Sequence, residues 1–339
     1  MKILVTGDTG YVGTVLCEQL LNEGHDITGV DLDLFLENDL ILHKRDYKRI
    51  KKNIHEINLD DLKNVESIIH LAGLSNDPLG ELNENLTYKM NFDGTTTLIK
   101  KAKKAGVKNF LYASTQSVYG ISEDINIEIN EDSKNIKPIT AYAKSKFKAE
   151  NEILKSKSEK FRVIIFRPAT VFGPSINFRS DIVLNNLVGA AYLYEKIIIQ
   201  SDGKPWRPLL HINDMCQFFI KSLNKTDLLN GEIINIGYPG YNFQVLDLAK
   251  KVKSILSKSQ IIIENNKVDN RTYKVSFQKA LKFFKNEINF NLDIEKSISE
   301  LVNFFDRVNF NKEIFEGRKT IRIKQLKYLI EKKQFFNKY

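Results

Sequence analysis

The sequence predicts an α/β fold built on a doubly wound parallel sheet, with a smaller α/β lobe toward the C-terminus. Three observations indicate this fold. Met1–Gly13 has the pattern of an apolar strand, a glycine-rich turn and the start of a helix, and His25–Asp31 has the pattern of a second strand. Strand-like and helical segments then alternate as far as Pro174. Such regular alternation is typical of a parallel sheet that is covered by helices on both faces.

The glycine-rich turn carries Gly7, Gly10 and Gly13 at a spacing of three residues. In a dinucleotide-binding fold the first glycine makes the tight turn, the second lets the pyrophosphate approach the backbone, and the third lets the helix pack close to the strand. The helix N-terminus offers free N–H groups to the phosphates. Asp31 ends the second strand, where an acid hydrogen-bonds the adenosine ribose 2′-hydroxyl. Although turns are rich in glycine for conformational reasons alone, this context predicts an NAD site.

The elements that follow the second strand are assigned from apolar periodicity, caps and glycine stops. Thr140 is an N-cap for a long helix, and Gly106 ends an earlier one. We expect, in order, a loop with a short helix over Leu32–Lys52, a strand over Asn53–Asn58, a buried strand over Val65–Gly73, a helix over Leu86–Gly106, a strand over Val107–Thr115, a helix over Thr140–Lys160 and a strand over Phe161–Pro174.

Beyond Pro174 the alternation loosens. Ile197–Leu223 and Glu232–Gly237 are expected to mix strands of a smaller lobe with a return to the main sheet, and Asn242–Leu256 is expected to be a helix. We therefore assign residues 1–170 to a Rossmann-type NAD-binding domain, with a return segment near residues 208–237. Residues 171–339 form the substrate-binding lobe and the C-terminal helices.

The composition of the 339 residues is ordinary for a globular enzyme, with 42% hydrophobic and 27% charged residues. No apolar run reaches the length of a membrane span and no signal-peptide pattern is present, so we expect a cytoplasmic protein. Cys17 and Cys216 are the only cysteines and have no metal-like spacing, which argues against a disulfide framework and a zinc site. We expect no metal.

A net charge of +9 raises the alternatives of a nucleic-acid or a membrane partner. The lysines are scattered over solvated helix faces instead of clustering with aromatic residues, so no specific nucleic-acid partner is expected. The tail Ile323–Tyr339 has the composition of a membrane-surface helix. A packed terminal helix is the better use of its apolar residues, Ile323, Leu326, Leu329 and Ile330.

Tyr142 and Lys146 form a Y-x-x-x-K pair at the start of the long helix. A spacing of four places both side chains on one helix face, and an ammonium beside a phenol lowers the pKa of the phenol and makes it a usable base. The same spacing is common on helix surfaces. Ser114–Gly120, STQSVYG, favours the catalytic interpretation, because it puts hydroxyl residues at the end of a strand, where such sheets bind ligands.

With these motifs the chain resembles the extended short-chain dehydrogenase/reductases, the group of sugar-nucleotide epimerases and dehydratases. The resemblance runs from Lys2 to about Phe284. It rests on TGDTGYVG (Thr6–Gly13), Asp31, HLAGLS (His70–Ser75), Asn91, STQSVYG, YAKSK (Tyr142–Lys146), RPATVFGP (Arg167–Pro174), RPLLHINDM (Arg207–Met215) and NIG (Asn235–Gly237). These motifs are specific for the family and much less specific for one reaction.

The resemblance implies that Tyr142 removes the proton from a sugar hydroxyl, that Thr115 hydrogen-bonds the same oxygen, and that Lys146 holds the nicotinamide ribose. It implies that NAD is the cofactor and that the chain forms a homodimer. His70 and His211 are expected to be structural. The residues that the resemblance implies for cofactor binding are Gly7, Gly10, Tyr11, Val12, Gly13, Asp31, Leu32, Glu56, Ile57, Leu71, Ala72, Gly73, Asn91, Tyr142 and Lys146.

On the substrate side the resemblance implies a nucleoside-diphosphate sugar. Arg207 and Arg271 match the two arginines that clamp the diphosphate, a task that suits the planar guanidinium fork. Trp206 would either stack on a sugar or base or belong to the core. The implied substrate-binding residues are Ser75, Thr115, Asn186, Leu187, Trp206, Arg207 and Arg271.

Three functions remain in competition on the sequence alone. The first is an NAD-dependent nucleotide-sugar epimerase that acts by transient oxidation at C4, and the second is a C4 dehydrogenase or 4-keto-reductase. The third is a non-catalytic nucleotide-binding regulator, which would be expected to lose at least one of Thr115, Tyr142 and Lys146. The resemblance implies that 4,6-dehydratases carry an Asp-Glu pair directly after the catalytic Ser/Thr. This chain has Gln116 and Ser117 at those positions, so dehydration across C5 and C6 is not expected.

Overall fold

A seven-stranded parallel sheet forms the centre of the computed structural model, which describes residues 1–75, 77–122, 124–264 and 272–332. Its strand order is β10-β6-β5-β4-β1-β2-β3. The order reverses between β1 and β4, and in sheets of this kind ligands bind beyond the carboxyl ends of the strands at that reversal. The strands are β1 (Lys2–Thr6), β2 (Asp26–Asp31), β3 (Lys48–Lys51), β4 (Ser67–His70), β5 (Asn109–Ala113), β6 (Arg162–Pro168) and β10 (Ile233–Ile236).

Two smaller sheets lie outside the main one. In the first, β9 runs parallel to β7 and antiparallel to β11, and in the second, β8 and β12 are parallel. Their strands are β7 (Thr170–Phe172), β8 (Lys196–Ile199), β9 (Trp206–His211), β11 (Asn242–Gln244) and β12 (Gln260–Ile263). The chain therefore leaves the main sheet after β6 and returns to it at β10, which pairs with β6.

Helices cover both faces of the main sheet and bury two large apolar clusters against it. The helices are α1 (Tyr11–Asn22), α2 (Asp77–Leu82), α3 (Glu84–Tyr88), α4 (Gly94–Lys104), α5 (Ala141–Ser156), α6 (Val183–Tyr194), α7 (Ile212–Ser222), α8 (Val245–Ile255), α9 (Gln278–Phe284), α10 (Ile294–Arg307), α11 (Lys312–Glu316) and α12 (Arg322–Glu331). Within the part of the chain that the structure describes, none of them has both the length and the apolar character that crossing a membrane requires.

The sequence prediction is wrong at the third strand. Residues Asn53–Asn58 do not form a strand: Ile54–Glu56 is a single 3₁₀ turn, and its capping box explains why. Asn53 accepts from the N–H of His55 at 3.2 Å, and the carboxylate of Glu56 accepts from the N–H of Asn53 at 3.1 Å. The edge strand is instead β3, which lies within the segment expected to be a loop with a short helix.

The other expected elements are confirmed with shifted ends. The expected helix over Leu86–Gly106 is continuous from α3 to α4, but it passes through a π-helical segment at Lys89–Asp93. Asn242–Gln244 forms a strand before α8 instead of its first turn. The terminal helix packs through Leu326, which is buried against Leu34, Leu74 and Met90. The fold therefore matches the prediction of a doubly wound parallel sheet.

Candidate active site

A cavity of about 1220 Å³ lies beyond the carboxyl ends of β1, β4, β5 and β6. It contains most of the residues that the sequence selected. Its wall includes Gly7, Gly10, Tyr11, Val12, Gly13, Asp31, Leu32, Leu71, Ala72, Gly73, Ser75, Thr115, Tyr142, Lys146, Asn186, Leu187 and Arg207. The topology thus collects residues from distant parts of the chain at the point where the strand order reverses.

The turn between β1 and α1 has the geometry that its glycines predict. Gly7 has a φ of +79°, and its N–H donates to the carbonyl of Val30 at 2.8 Å. A Cβ on Gly13 would lie 1.9 Å from the carbonyl oxygen of Gly7, so only glycine allows the helix to come this close. Gly10 precedes α1, and no described side chain caps the helix there. The first N–H groups of α1 are therefore available to an anion in the cavity.

Asp31 lies in an acidic part of the cavity wall at the end of β2. Its carboxylate accepts from the N–H of Asp33 at 2.8 Å. Burial, and the nearby charge of Asp8, raise the pKa of Asp31 to about 6. Arg49 donates to Asp8 at 2.7 Å and also to Asp33, so its charge is already paired with two carboxylates. The carboxylate of Asp31 is suited to accept from a ribose hydroxyl and poorly suited to approach a phosphate.

Tyr142 and Lys146 lie on the inward face of α5. The hydroxyl of Thr140 accepts from the N–H of Ala143 at 3.2 Å and caps this helix, as the sequence predicted. Lys146 is 3% exposed, and its Nζ donates to the carbonyl oxygen of Ala113 at 2.8 Å. Tyr142 is 7% exposed. Both side chains reach the cavity at the end of β5.

The pKa of Tyr142 does not shift in the direction expected from the sequence. Burial is the largest cause and raises it, while a hydrogen bond from Thr115 and the charge of Arg179 act in the opposite direction. The pKa of Lys146 falls to about 7, again because of burial, with the charge of Glu150 opposing the shift. The sequence argument considered the charge of the ammonium but not the removal of both groups from water, which is the larger effect here.

A buried ion pair holds the loop after β5, Ser114–Gly120, against the sheet. Arg167 donates to Glu150 from Nη2 at 2.6 Å and from Nε at 3.0 Å, and both side chains are 1% exposed. Ser114 also donates to Glu150, and Tyr119 donates to Asn235 at 2.7 Å while its oxygen accepts from Arg167 at 3.0 Å. This network joins β5, α5, β6 and β10. The motif residue Arg167 thus positions the site without lining it.

Four predicted site residues lie away from the cavity wall. Glu56 is exposed and serves the capping box, and Ile57 is buried in the apolar core. Neither residue lines the cavity at which a cofactor contact was expected, and the same segment presents Asn53 and Ile54 to it instead. Asn91 is behind the wall, where its Oδ1 accepts from the N–H of Leu74 at 2.8 Å.

Trp206 is the fourth of these residues. Its indole ring lies 4.1 Å from the Nζ of Lys274 instead of facing the cavity. Lys274 thus covers one face of the ring, and Trp206 is absent from the cavity wall. The neighbouring Arg207 does line the cavity, and its Nη1 donates to the carbonyl oxygen of Trp206 at 2.7 Å. Arg271, the second predicted diphosphate clamp, lies outside the described residues.

Sequence reasoning missed two buried arginines that line the cavity, Arg179 and Arg322. Arg179 donates to both oxygens of Asp181 and, at 3.2 Å, to the hydroxyl of Ser75. Little in the sequence indicates that Arg179 is buried, because Arg179–Asp181 (RSD) has the pattern of a solvated turn. Arg322 begins the terminal helix, far from every motif. The two histidines called structural, His70 and His211, are buried, and His70 is hydrogen-bonded on both ring nitrogens.

Gln116 is directed away from the cavity. Its Nε2 donates to the carbonyl oxygen of Arg167 at 3.1 Å, and the residue is 2% exposed. Ser117, the next residue, does line the cavity. No titratable acid or base therefore occupies the two positions after Thr115.

The cavity fits a dinucleotide by three observations. The N-terminus of α1 offers free amides behind a turn that requires glycine at Gly7 and Gly13, Asp31 supplies a ribose acceptor, and Gly73 brings the backbone to the wall with a φ of +158°. A Cβ on Gly73 would lie 2.7 Å from Oδ1 of Asn91. The backbone thus comes close to the cavity at two places, the glycine turn and Gly73, as binding of a dinucleotide requires.

Comparison with known proteins agrees with this geometry. The model of the NAD dependent epimerase/dehydratase family matches residues 3–237. An uncharacterized UDP-glucose epimerase, YtcB, from Bacillus subtilis (strain 168) is 30% identical over 250 residues, which are 70% of this chain and 77% of that protein. UDP-glucuronic acid decarboxylase 3 of Arabidopsis thaliana is 28% identical over 289 residues, 83% of this chain and 82% of that one.

Solved structures share the fold. The UDP-glucuronic acid 4-epimerase of Bacillus cereus, in complex with UDP-glucuronic acid and NAD, superposes with a TM-score of 0.76 and 22% identity. The superposition covers 91% of this chain and 100% of that one. At this identity the likeness concerns the fold alone. The matched proteins differ in the reactions that they are named for.

Proposed function

Since the chain belongs to the NAD dependent epimerase/dehydratase family, we propose that it is a nucleotide-sugar epimerase that inverts C4 of a nucleoside-diphosphate sugar. The observation that carries this proposal is the combination found beyond β5. Thr115, Tyr142 and Lys146 share one cavity wall, whereas Gln116 is hydrogen-bonded away from it. The cavity thus has the groups for proton transfer at a sugar hydroxyl and lacks a titratable group after Thr115 for the loss of water.

In this proposal Tyr142 accepts the proton of the 4-hydroxyl, and Thr115 hydrogen-bonds the same oxygen. A base must lie within hydrogen-bond reach of the proton it takes, and these two side chains are close enough for Thr115 to lower the pKa of Tyr142. NAD, when bound, supplies the hydride acceptor for C4 and returns the hydride in epimerisation. Lys146 would hold the nicotinamide ribose, because its Nζ is fixed at the cavity wall by the carbonyl oxygen of Ala113.

The cofactor would lie along the wall formed by the glycine turn, Asp31 and the Leu71–Gly73 backbone. The diphosphate of the sugar nucleotide would lie near Arg207 and the start of α6, where Asn186 and Leu187 face the cavity. Arginine suits this role because it donates in a planar fork to phosphate oxygens. The contribution of Arg271 stays a prediction.

The alternatives from the sequence lead to different products. A C4 dehydrogenase or 4-keto-reductase would use the same three residues, whereas a regulator would be expected to have lost at least one of them. Dehydration needs an acid and a base for C5 and C6, and neither an amide nor an unassisted hydroxyl serves near neutral pH. The similarity to a UDP-glucuronic acid decarboxylase does not favour decarboxylation either. The resemblance implies that decarboxylases have a glutamate at one of the positions after the catalytic Ser/Thr, where this chain has Gln116 and Ser117.

The test is to incubate the protein with a panel of UDP-, GDP- and dTDP-hexoses and to follow the products by NMR. We expect the C4 epimer of one nucleotide sugar, without net change in NADH absorbance. A 4-keto-6-deoxy sugar would refute the exclusion of dehydration. Stoichiometric accumulation of NADH would favour the dehydrogenase.

A homodimer in the cytoplasm is part of the same proposal and comes from the family resemblance. Light scattering on the purified protein measures the assembly directly. A monomeric mass across the concentration range would remove the homodimer from the proposal without affecting the chemistry assigned to Tyr142.

A further inference from the structure

Residues 321–323 reach the cofactor cavity, although they lie outside the residues matched by the family model. Ile321, Arg322 and Ile323 form part of the cavity wall, at the start of α12. The family model ends at residue 237. This contact with the cavity is therefore additional to the motifs on which the proposed function rests.

Three hydrogen bonds and one apolar contact fix the terminal segment in place. Gln325 donates to the carbonyl oxygen of Leu34 at 3.1 Å, and Asn38 donates to the carbonyl oxygen of Arg318 at 3.2 Å. Both Leu34 and Asn38 belong to the loop after β2, and Leu326 is buried against the first of them. On the other side, the N–H of Ser180 donates to the carbonyl oxygen of Thr320 at 3.2 Å. The segment thus joins the loop beside Asp31 to the loop that precedes α6.

Arg322 is the charged residue that this segment brings to the cavity. It is 3% exposed, and its guanidinium lies 4.3 Å from the ring of Phe35. Its Nη2 donates to the backbone and side-chain oxygens of Asn177. Its Nη1 has no hydrogen-bond partner among the described residues. A buried donor without an acceptor is destabilising, so the arrangement favours an acceptor supplied by a ligand.

The chemistry of that acceptor follows from the charges nearby. Among the described residues, Arg322 bonds only neutral groups of Asn177. Burial and the charge of Arg179 lower the pKa of Arg322 to about 9, while the carboxylates of Asp181, Asp31 and Asp39 act in the opposite direction. Arg179 is itself buried in the same wall, paired with Asp181. The N-terminus of α1 adds a positive dipole end to this cavity. The unpartnered Nη1 of Arg322 is therefore suited to a phosphate oxygen, to which a guanidinium donates a strong, charge-assisted hydrogen bond.

We propose that the terminal segment is a clasp on the cofactor, in which Nη1 of Arg322 donates to the pyrophosphate of NAD. The clasp rests on the NAD site of the proposed function and not on its sugar chemistry. This contact would slow the release of NAD, because the hydrogen bond between Arg322 and the pyrophosphate must break before the cofactor leaves. An enzyme that returns its hydride to the same substrate benefits from a cofactor that stays bound.

The experiment measures binding of NAD, ADP-ribose and adenosine to the full chain, in the absence of any nucleotide sugar. Calorimetry gives the affinity for the first two, and displacement of bound NADH gives it for adenosine. For Arg322→Met we expect the affinities for NAD and ADP-ribose to fall roughly tenfold or more, the scale of a lost charge-assisted hydrogen bond. The affinity for adenosine should not change. Faster release of NADH should accompany the loss.

Lys327→Met is the matched control, since it removes a cation from the same helix at an exposed residue that does not line the cavity. It should bind all three ligands as the wild type does. Arg322→Gln keeps a donor for Asn177 and serves if the methionine variant does not fold; it should lose ADP-ribose affinity in the same way. Unchanged ADP-ribose affinity in a folded Arg322 variant, or an equal loss for adenosine, would overturn the clasp. Absence of epimerase activity in wild-type protein that binds NAD, with the Arg322 effect on NAD affinity present, would instead count against the proposed function alone.

Discussion

Individual residues show where sequence reasoning succeeds at this site and where it stops. The spacing of Tyr142 and Lys146 predicted a shared helix face, and a shared face needs only local geometry. The sign of the shift in the pKa of Tyr142 was wrong, because it depends on how much protein surrounds the phenol, and that is a property of the folded chain. Arg179 was missed for the same reason. Arg179–Asp181 has the pattern of a solvated turn, but the residues around it in space bury Arg179.

The role of Tyr142 can be tested by removing one oxygen atom. Tyr142→Phe keeps the ring that fills the cavity wall and removes the proton acceptor. We expect turnover of the nucleotide sugar to fall by on the order of 10² or more, the scale for losing a positioned acid/base, while the affinity for NAD stays close to wild type. Initial rates give the first quantity and calorimetry gives the second.

Tyr192→Phe is the matched control for this change. Its hydroxyl donates to Asp306 at 2.6 Å on the exposed side of α6, away from the chemistry. It should keep wild-type turnover. If Tyr142→Phe also kept a near wild-type rate, another group would be the base and the proposed mechanism would be wrong.

At the scale of elements, periodicity identified the buried strands and long helices but not the short polar pieces. The strand β3, Lys48–Lys51, has the sequence KRIK and lies at the edge of the sheet, so it has little apolar signal. The segment that was expected to be a strand has only two apolar residues, Ile54 and Ile57. An isolated apolar pair fits either a strand or a 3₁₀ turn. The capping box of Asn53 and Glu56 was the signal that could have distinguished them.

The strand β6 offers two arginines whose ion pairs should differ greatly in their effect on stability. Arg167 pairs with Glu150 where both side chains are 1% exposed, whereas Arg162 pairs with Asp227, whose side chain is 81% exposed. Arg167→Met leaves a carboxylate buried without its partner, which typically lowers the free energy of unfolding by about 3 to 5 kcal/mol. Arg162→Met should lower it by about 1 kcal/mol or less.

Urea denaturation of the two variants and the wild type measures this difference. Because Glu150 also binds Ser114, we expect Arg167→Met to weaken the loop that carries Thr115, and turnover should fall along with stability. Equal free energies of unfolding for the two variants would mean that the buried network does not hold the site in place.

At the scale of the whole molecule, the sequence named most of the cavity wall but not the segments that close it. The glycine turn and the Y-x-x-x-K pair are local patterns, and the order of strands in this fold brings them together. The contribution of residues 321–323 depends on how all the preceding elements pack, which no local pattern contains. The cavity therefore joins three distant parts of the chain, and a ligand that fills it should stabilise the whole fold.

This coupling makes cofactor choice visible as a change in stability. A ligand that binds only the folded protein raises the free energy of unfolding by about 2.7 kcal/mol when its concentration is 100 times its Kd. We expect NAD to produce a shift of this kind in thermal unfolding, and NADP a smaller one at equal concentration. The reason is the acidic wall around Asp31, which would repel a 2′-phosphate, while Arg49 is already paired with Asp8 and Asp33.

The shift should also depend on pH in a direction set by Asp31. Burial raises the pKa of this carboxyl to about 6, and the ionised form is the one that accepts from the ribose. Protonation therefore competes with NAD, so the stabilisation by NAD should be complete well above pH 6 and should decline as the pH falls through that value. In Asp31→Asn the shift should be smaller and should no longer change across this range. A wild-type shift that is equal for NADP, or independent of pH around 6, would show that Asp31 does not select the cofactor.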